Sequence, residues 1–434
     1  AYNVAVGDRA GYQVTTGTQN TLIGGLAGDA MQGANNNVAV GYNAAGAVTI
    51  GGQNVAVGHG SLATNTVSDR NTAIGTDALA THTLGSGANG YNTAVGHSAG
   101  KAVTTGTLNV LIGGLAGDAL TSGGENVALG TSALSADTLG KYSTAIGRGT
   151  LSVQNFTTDT ATYNTAVGYQ AGENVTTGVQ NTIVGGLAGD AFTDADFNTA
   201  VGFGTLGADT LGSRSVAIGS SALGSQNFTT ATDAYNVAVG VLAGSAVTTG
   251  VQNTIVGGLA GDAITDGDSN VAVGYLALSA NTTGGDSVAV GSAALQNQNP
   301  ATATDMKNVA VGHQAAKSIT TGVNNTIIGH IAGDALTDTD FNVAVGQGAL
   351  SADTLGSRST AIGRAALSAQ NFTTATETYN TAVGFHAGVN VTTGIVNTII
   401  GGIAGDALTV GQENVALGYS ALSTDTKGSH TTAI

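Results

Sequence analysis

The chain has no cysteine and no tryptophan, a single proline (Pro300), and only 9% charged residues. Without cysteine there can be no disulfide, thiolate metal site or cysteine nucleophile. One proline excludes collagen-like and polyproline rods. Eleven Lys and Arg stand against 27 Asp and Glu, a net charge of −16. Nucleic acid is therefore a poor partner, because phosphate binding needs clustered basic side chains. An anionic membrane surface is disfavoured for the same reason. No apolar run reaches the roughly 18 residues of a membrane span, so no membrane insertion is expected from this segment, and no signal-peptide pattern is visible. Phosphate loop, nucleophile elbow and zinc spacing are all missing. The expectation is a protein that is not an enzyme and needs no cofactor.

What is abundant is glycine, 69 residues, and a five-residue phrase. It reads Asn or Ser, Thr or Val, Ala, Val or Ile, Gly, as in Asn92-Thr93-Ala94-Val95-Gly96 and Ser215-Val216-Ala217-Ile218-Gly219. It begins 25 times, and successive starts stand either 17 apart, which happens 19 times, or 21 apart, which happens five times. From Asn92 onward three of the shorter units are followed by one of the longer, which sets a superperiod of 72. Superperiods cover 3–91, 92–163, 164–235, 236–307, 308–379 and 380–434, the first with an extra unit. Such periodicity marks a single repeat array rather than several globular domains. Tyr91, Tyr163, Tyr235 and Tyr379 close long units, so Ala1-Tyr2 reads as the tail of another. The array is expected to be an uncapped piece of a longer protein.

Alternation of β-branched and small residues within the phrase predicts a short strand ended by its Gly. A second short strand is expected at Ala133-Leu134, Ala222-Leu223 and Ala349-Leu350. Strand, bend, strand and turn within one unit make one coil of an all-β parallel solenoid. At the usual strand spacing, 25 coils predict an elongated rod roughly 120 Å long. Val or Ile at the fourth position is expected to line the interior. The first-position Asn, present in 20 of 25 coils, is read either as a ladder of stacked amides or as a good turn residue.

The Ala face is expected to point outward and to pack against identical chains. The second unit of each superperiod places Leu or Ile there instead: Leu22, Leu111, Ile183, Ile255, Ile327 and Ile399. The predicted oligomer interface therefore comprises Ala94, Ala166, Ile183, Ala238, Ile255, Ile327 and Ile399. The four extra residues of the long units predict a projecting ledge, with Phe156, Phe228 and Phe372 upon it. These rings are read as a repeated surface contact for a receptor or glycan, or as covers folded back over the coil.

The phrase resembles the repeat of trimeric autotransporter adhesin heads. The longer pattern Asn164-Thr165-Ala166-Val167-Gly168-Tyr169-Gln170-Ala171-Gly172 followed by Val175-Thr176-Thr177-Gly178 is similar to repeat regions of phage tail-fibre-like proteins. The resemblance implies a left-handed parallel β-roll assembled as a homotrimer. It implies an extracellular place: a virion tail or capsid fibre in host attachment or, alternatively, a bacterial surface adhesin head. The partners would be other copies of the chain and a host-cell surface glycan or protein.

Other candidates carry less. Asp29, Asp118, Asp190, Asp262, Asp334 and Asp406 recur once per superperiod, too far apart to share a calcium ion, and are read as turn caps. Asp194 with Asp196 and Asp338 with Asp340 have the proximity of a glycosidase pair but sit in turn-like stretches. His59, His97, His313 and His330 follow the Gly in scattered coils, with no metal spacing. Thr15-Thr16, Thr104-Thr105 and Thr248-Thr249 mark first units, so no uninterrupted ice-binding face is expected.

Overall fold

The computed structural model describes residues 2–85 and 87–434; Ala1, where the reading of a preceding long unit starts, lies outside the described residues. Among the described residues there is no helix, and the chain winds as a parallel β-solenoid of about 25 turns. Contacts group it into two units, Ala1–Arg214 with Phe228–Thr232, and Ser215–Asn227 with Asp233–Ile434. In the first unit twelve short strands, Val4–Val6 to Thr199–Val201, stack coil on coil; in the second, thirteen do so, from Val216–Ile218 to Thr432–Ala433. Register is in step: Thr165 faces Thr182, Ala166 faces Ile183 and Val167 faces Val184. Third and long coils together add two-residue side strands, such as Gly140–Lys141 against Thr160–Ala161 and Gly356–Ser357 against Thr376–Glu377.

The Gly that ends each strand has two reasons to be Gly. At Gly24 φ is +127°, and a Cβ there would stand 2.6 Å from the carbonyl oxygen of Gly41 on the next coil. Backbone and neighbour both forbid a side chain.

The period of two is present, but its faces are opposite to expectation. The third-position Ala94, Ala166 and Ala238 are fully buried, while fourth-position Ile218 and Ile362 are 40% and 38% exposed. Ile183, Ile255, Ile327 and Ile399 are fully buried as well. None of these seven residues can form an interface between chains; each is core of its own coil. The reason lies in the first-position Asn, which must be inside to satisfy buried turn groups. A period of two then sends position three inward, against the equally buried Ala99, Ala171 and Ala243, where only a small side chain suits so thin a coil.

The second expected strand is also absent. Ala133-Leu134 lies in consecutive turns, with Leu134, Leu223 and Leu350 at φ of +54°, +48° and +52°. A left-handed residue costs about 1–2 kcal/mol. Burying a leucine returns about 1.5–3 kcal/mol, and all three are fully buried, so burial wins.

Where third and long coils carry Leu134 and Leu151, the first and second coils carry Gly172 and Gly189. The second-coil Ile or Leu fills that space: a Cβ on Gly172 (φ +59°) would lie 2.9 Å from Cδ1 of Ile183. Three residues further along the coil the filling alternates too. First and second coils bury Val175 and Phe192; third and long coils bury Asp137 and Gln154. Each regular superperiod thus pairs two apolar layers with two polar ones.

Candidate functional site

The interior polar column begins with the Asn ladder. Asn37 donates its backbone N–H to Oδ1 of Asn20 at 3.0 Å, and its Nδ2 to the same oxygen at 3.1 Å. The Nδ2 of Asn20 also donates to the Ala34 carbonyl at 2.8 Å, across the turn. The same pattern recurs at Asn181, Asn253, Asn325 and Asn397. Both sequence readings of this Asn therefore hold at once: it is an amide ladder and a turn tie. Each amide satisfies groups that would otherwise be buried without partners.

Long coils break the ladder, since Ser143, Ser215, Ser287 and Ser359 stand in the Asn place. A glutamine eleven residues on supplies the missing amide. Gln154 donates Nε2 to Ser143 Oγ (2.9 Å) and Asp137 Oδ2 (2.7 Å), and its Oε1 accepts from Asn164 (2.9 Å). Gln370 does the same with Ser359, Asp353 and Asn380. Oδ1 of Asp137 further accepts the backbone N–H of Gly140 and Phe156. No cation balances this carboxylate; burial pushes its pKa up, and the Gln154 amide and three backbone N–H groups pull it back. Sequence reasoning missed this cluster, although the signal was present: Ser replaces Asn only where Gln follows at that spacing. The first long coil departs from the rule. It keeps Asn71 and has His82 in the glutamine place.

Phe156, Phe228 and Phe372 are 6–7% exposed. They are lids over the coil interior and not a receptor contact. Phe228 covers Gly212, where a Cβ would approach its ring to 2.7 Å. The residues on either side of each ring, such as Asn155 and Thr157 to Asp159, are exposed on the ledge.

The other candidates do not converge on a site. Asp118, Asp262, Asp334 and Asp406 each have one buried carboxylate oxygen with no partner, which does not fit a turn cap. Burial raises the pKa of Asp118, Asp190, Asp262 and Asp334. Asp194 and Asp338 accept from Thr177 and Thr321, and Asp196 and Asp340 from the N–H of Val179 and Val323. These acids tether one turn to the next. His313 and His330 stack at 5.3 Å, and His59 stacks on Tyr42 at 5.5 Å. Among the described residues no group of three His, Asp or Glu could hold a metal ion. The first Thr of the Thr104-Thr105 pair does recur on following coils, but Thr104 donates to Thr121 O and Thr121 to Thr138 O, so these hydroxyls are engaged.

What remains without a partner is the outer face of each strand ladder. Two columns run along it in each unit, Val or Thr at the second position and Val, Ile or Leu at the fourth. Ile74, Leu129, Ile328 and Ile400 are 38–42% exposed. Exposed rings flank the columns. Phe203 lies over Gly186 and Tyr275 over Gly258, within 3.6 and 3.8 Å of where a Cβ would sit. A Cβ at either glycine would make only ordinary contact with the ring, and at Gly114 it would meet nothing within 4 Å, so sterics do not account for the second Gly of the Gly-Gly-Leu runs.

No protein-family model matches the chain, and no curated protein matches it significantly.

Proposed function

We propose that this chain is a structural segment of a surface fibre, and that three copies associate through the outer face of their strand ladders. The observation that carries the reading is the pair of β-branched columns left exposed along each unit. Apolar patches of this continuity are uncommon on monomers and mark association surfaces. The association face is thus Val, Thr and Ile at positions two and four, in place of the Ala face expected from sequence. The count of three follows the resemblance of the repeat to trimeric fibres.

The owner we favour is a virion, with the segment acting in a tail or capsid fibre during host attachment. A host-surface glycan or protein is then the distal partner. A bacterial adhesin head is the second reading, and the two share the same repeat.

Light scattering on the 42.0 kDa chain should give about three times that mass. Replacing outward Val167 and Val184 with Lys should yield a folded monomer, because like charges then face each other across the interface. A stable wild-type monomer would overturn the association. Immunogold labelling of particles and cells from the source culture decides the owner: gold along virion fibres supports the first reading, gold on cell envelopes the second.

A further inference from the structure

His82 stands apart from every other residue in its column. It is fully buried, and neither ring nitrogen has a hydrogen-bond partner. The corresponding residues of the later long coils are Gln154, Gln226, Gln298 and Gln370, each bonded to the Ser of its own coil. Here Asn71 keeps the ladder intact, with its Oδ1 accepting from Asn92, so nothing is left for the side chain eleven residues on to do. The imidazole is the one titratable group in a slot that elsewhere holds a neutral amide.

We propose that His82 makes the long coil of the first superperiod an acid-sensitive opening point, closed while the imidazole is neutral and released when it takes a proton. A neutral ring is tolerated as an apolar plug. An imidazolium in the same place has two donors and no counter-charge, and the Thr104 carbonyl beside it already accepts from the Thr83 N–H; burying a charge so poorly compensated is costly. The column neighbours offer no relief: Asn65 on the preceding coil is engaged with Ser68, and Val103 follows on the next. Charged and titratable groups of the three coils lie at the surface. His59, Arg70, His97 and Lys101 are exposed, Asp77 pairs with Lys101, and Asp69 accepts from the backbone N–H of Gly52.

The direction follows from burial. Desolvation lowers the His82 pKa from 6.5 to about 4, with the Thr104 backbone offsetting it in part. The opened coil binds the proton more readily than the closed one. Closure is therefore fully stable above pH 6.5, weakens as pH falls, and levels off below pH 4. From pH 7.5 to 4.5 the opening equilibrium should rise on the order of 50-fold.

Hydrogen exchange on the full chain tests this, corrected for intrinsic rates and read at the His82 and Thr83 amides, which bond to the Leu79 and Thr104 carbonyls. The Gln298 and Asn299 amides, bonded to the Leu295 and Thr320 carbonyls in a long coil where the neutral Asn281 stands in place of the aspartate, serve as the internal control. Protection at His82 and Thr83 should fall on the order of 50-fold more than at the control amides. The doubly substituted Asn71→Ser, His82→Gln chain, rebuilt in the image of the later coils, should lose that difference. His82→Leu, which cannot titrate, should lose it too and covers the case in which the double variant fails to fold. Equal loss at both segments, or a pH response that survives in a folded variant, overturns the proposal. So does a His82 ring that titrates near 6.5 by NMR.

Discussion

Oδ1 of Asp137 accepts the backbone N–H of Phe156 at 3.2 Å. Asp209 and Asp353 accept from Phe228 and Phe372 in the same way. Where Asn281 takes the place of the aspartate, the matching residue is Pro300, which has no N–H to give. Asn281 instead turns its amide onto Gly284, accepting from the N–H and donating to the carbonyl. From the second superperiod onward the acid appears with the N–H and the amide with the proline; the first superperiod departs, pairing Asn65 with Leu84.

That pairing predicts a coupling. Phe156→Pro should destabilise the chain by more than lost packing, because a buried carboxylate loses one of its donors. A hydrogen bond to a charged group contributes about 1.5–3 kcal/mol. In the Asp137→Asn background the same change should cost less by about that amount, read from urea unfolding in a double-mutant cycle. Simple additivity would show that Asp137 does not depend on the N–H.

Asp137 also predicts a pH dependence. Its pKa is raised in the fold, chiefly by burial, so the folded state holds the proton more tightly than the unfolded one. The stability from that protonated form is present at low pH and is lost as pH rises through the raised value. Asp137→Asn removes this titration. Unfolding free energies of variant and wild type, compared from pH 3 to 7, should shift in the variant's favour as pH rises.

Asn181 anchors one rung of the ladder. Its Oδ1 accepts the N–H of Asn198, and its Nδ2 donates to the Ala195 carbonyl. Asn181→Ala strands both, at about 1–3 kcal/mol for each buried group left unpaired. Thermal unfolding should shift down, and exchange should quicken at the Asn198 amide. An unchanged midpoint would mean that water replaces the amide.

Gly172 and Ile183 form a space-filling pair. Gly172→Ala puts a Cβ 2.9 Å from Ile183 Cδ1 and 3.0 Å from Leu151 Cδ2. Overpacking of this kind costs about 1–3 kcal/mol. Ile183→Val removes the nearest atom, so the double variant should be more stable than the two single losses predict. The residual deficit combines the left-handed backbone with the 3.0 Å approach to Leu151 Cδ2, neither of which Ile183→Val relieves.

The repeat itself carried most of the fold. The first strand of each coil, the coil count and parallel stacking are legible, because an error in any coil would recur in the next one and spoil the pattern; the Asn ladder was legible as one of two readings, and the second strand expected at Ala133-Leu134 is absent. Two members of the polar cluster, Ser143 and Gln154, were legible too, but only as co-occurrence. Their shared purpose appears when the coil brings positions eleven residues apart within hydrogen-bond distance.

Which face of the strand is inside was not legible. A period of two has no sign: Val-Ala-Val reads equally well with valine in or out, and hydrophobicity favours the wrong answer. The sequence alone determined that small and branched residues occupy opposite faces, and that one coil follows another in register. Tertiary structure decided the rest. The amide of Asn37 or Asn198 has to reach turn groups inside the coil. That need draws Ala39 and Ala200 inward and leaves Val40 and Val201 outside, half covered and free to meet another chain.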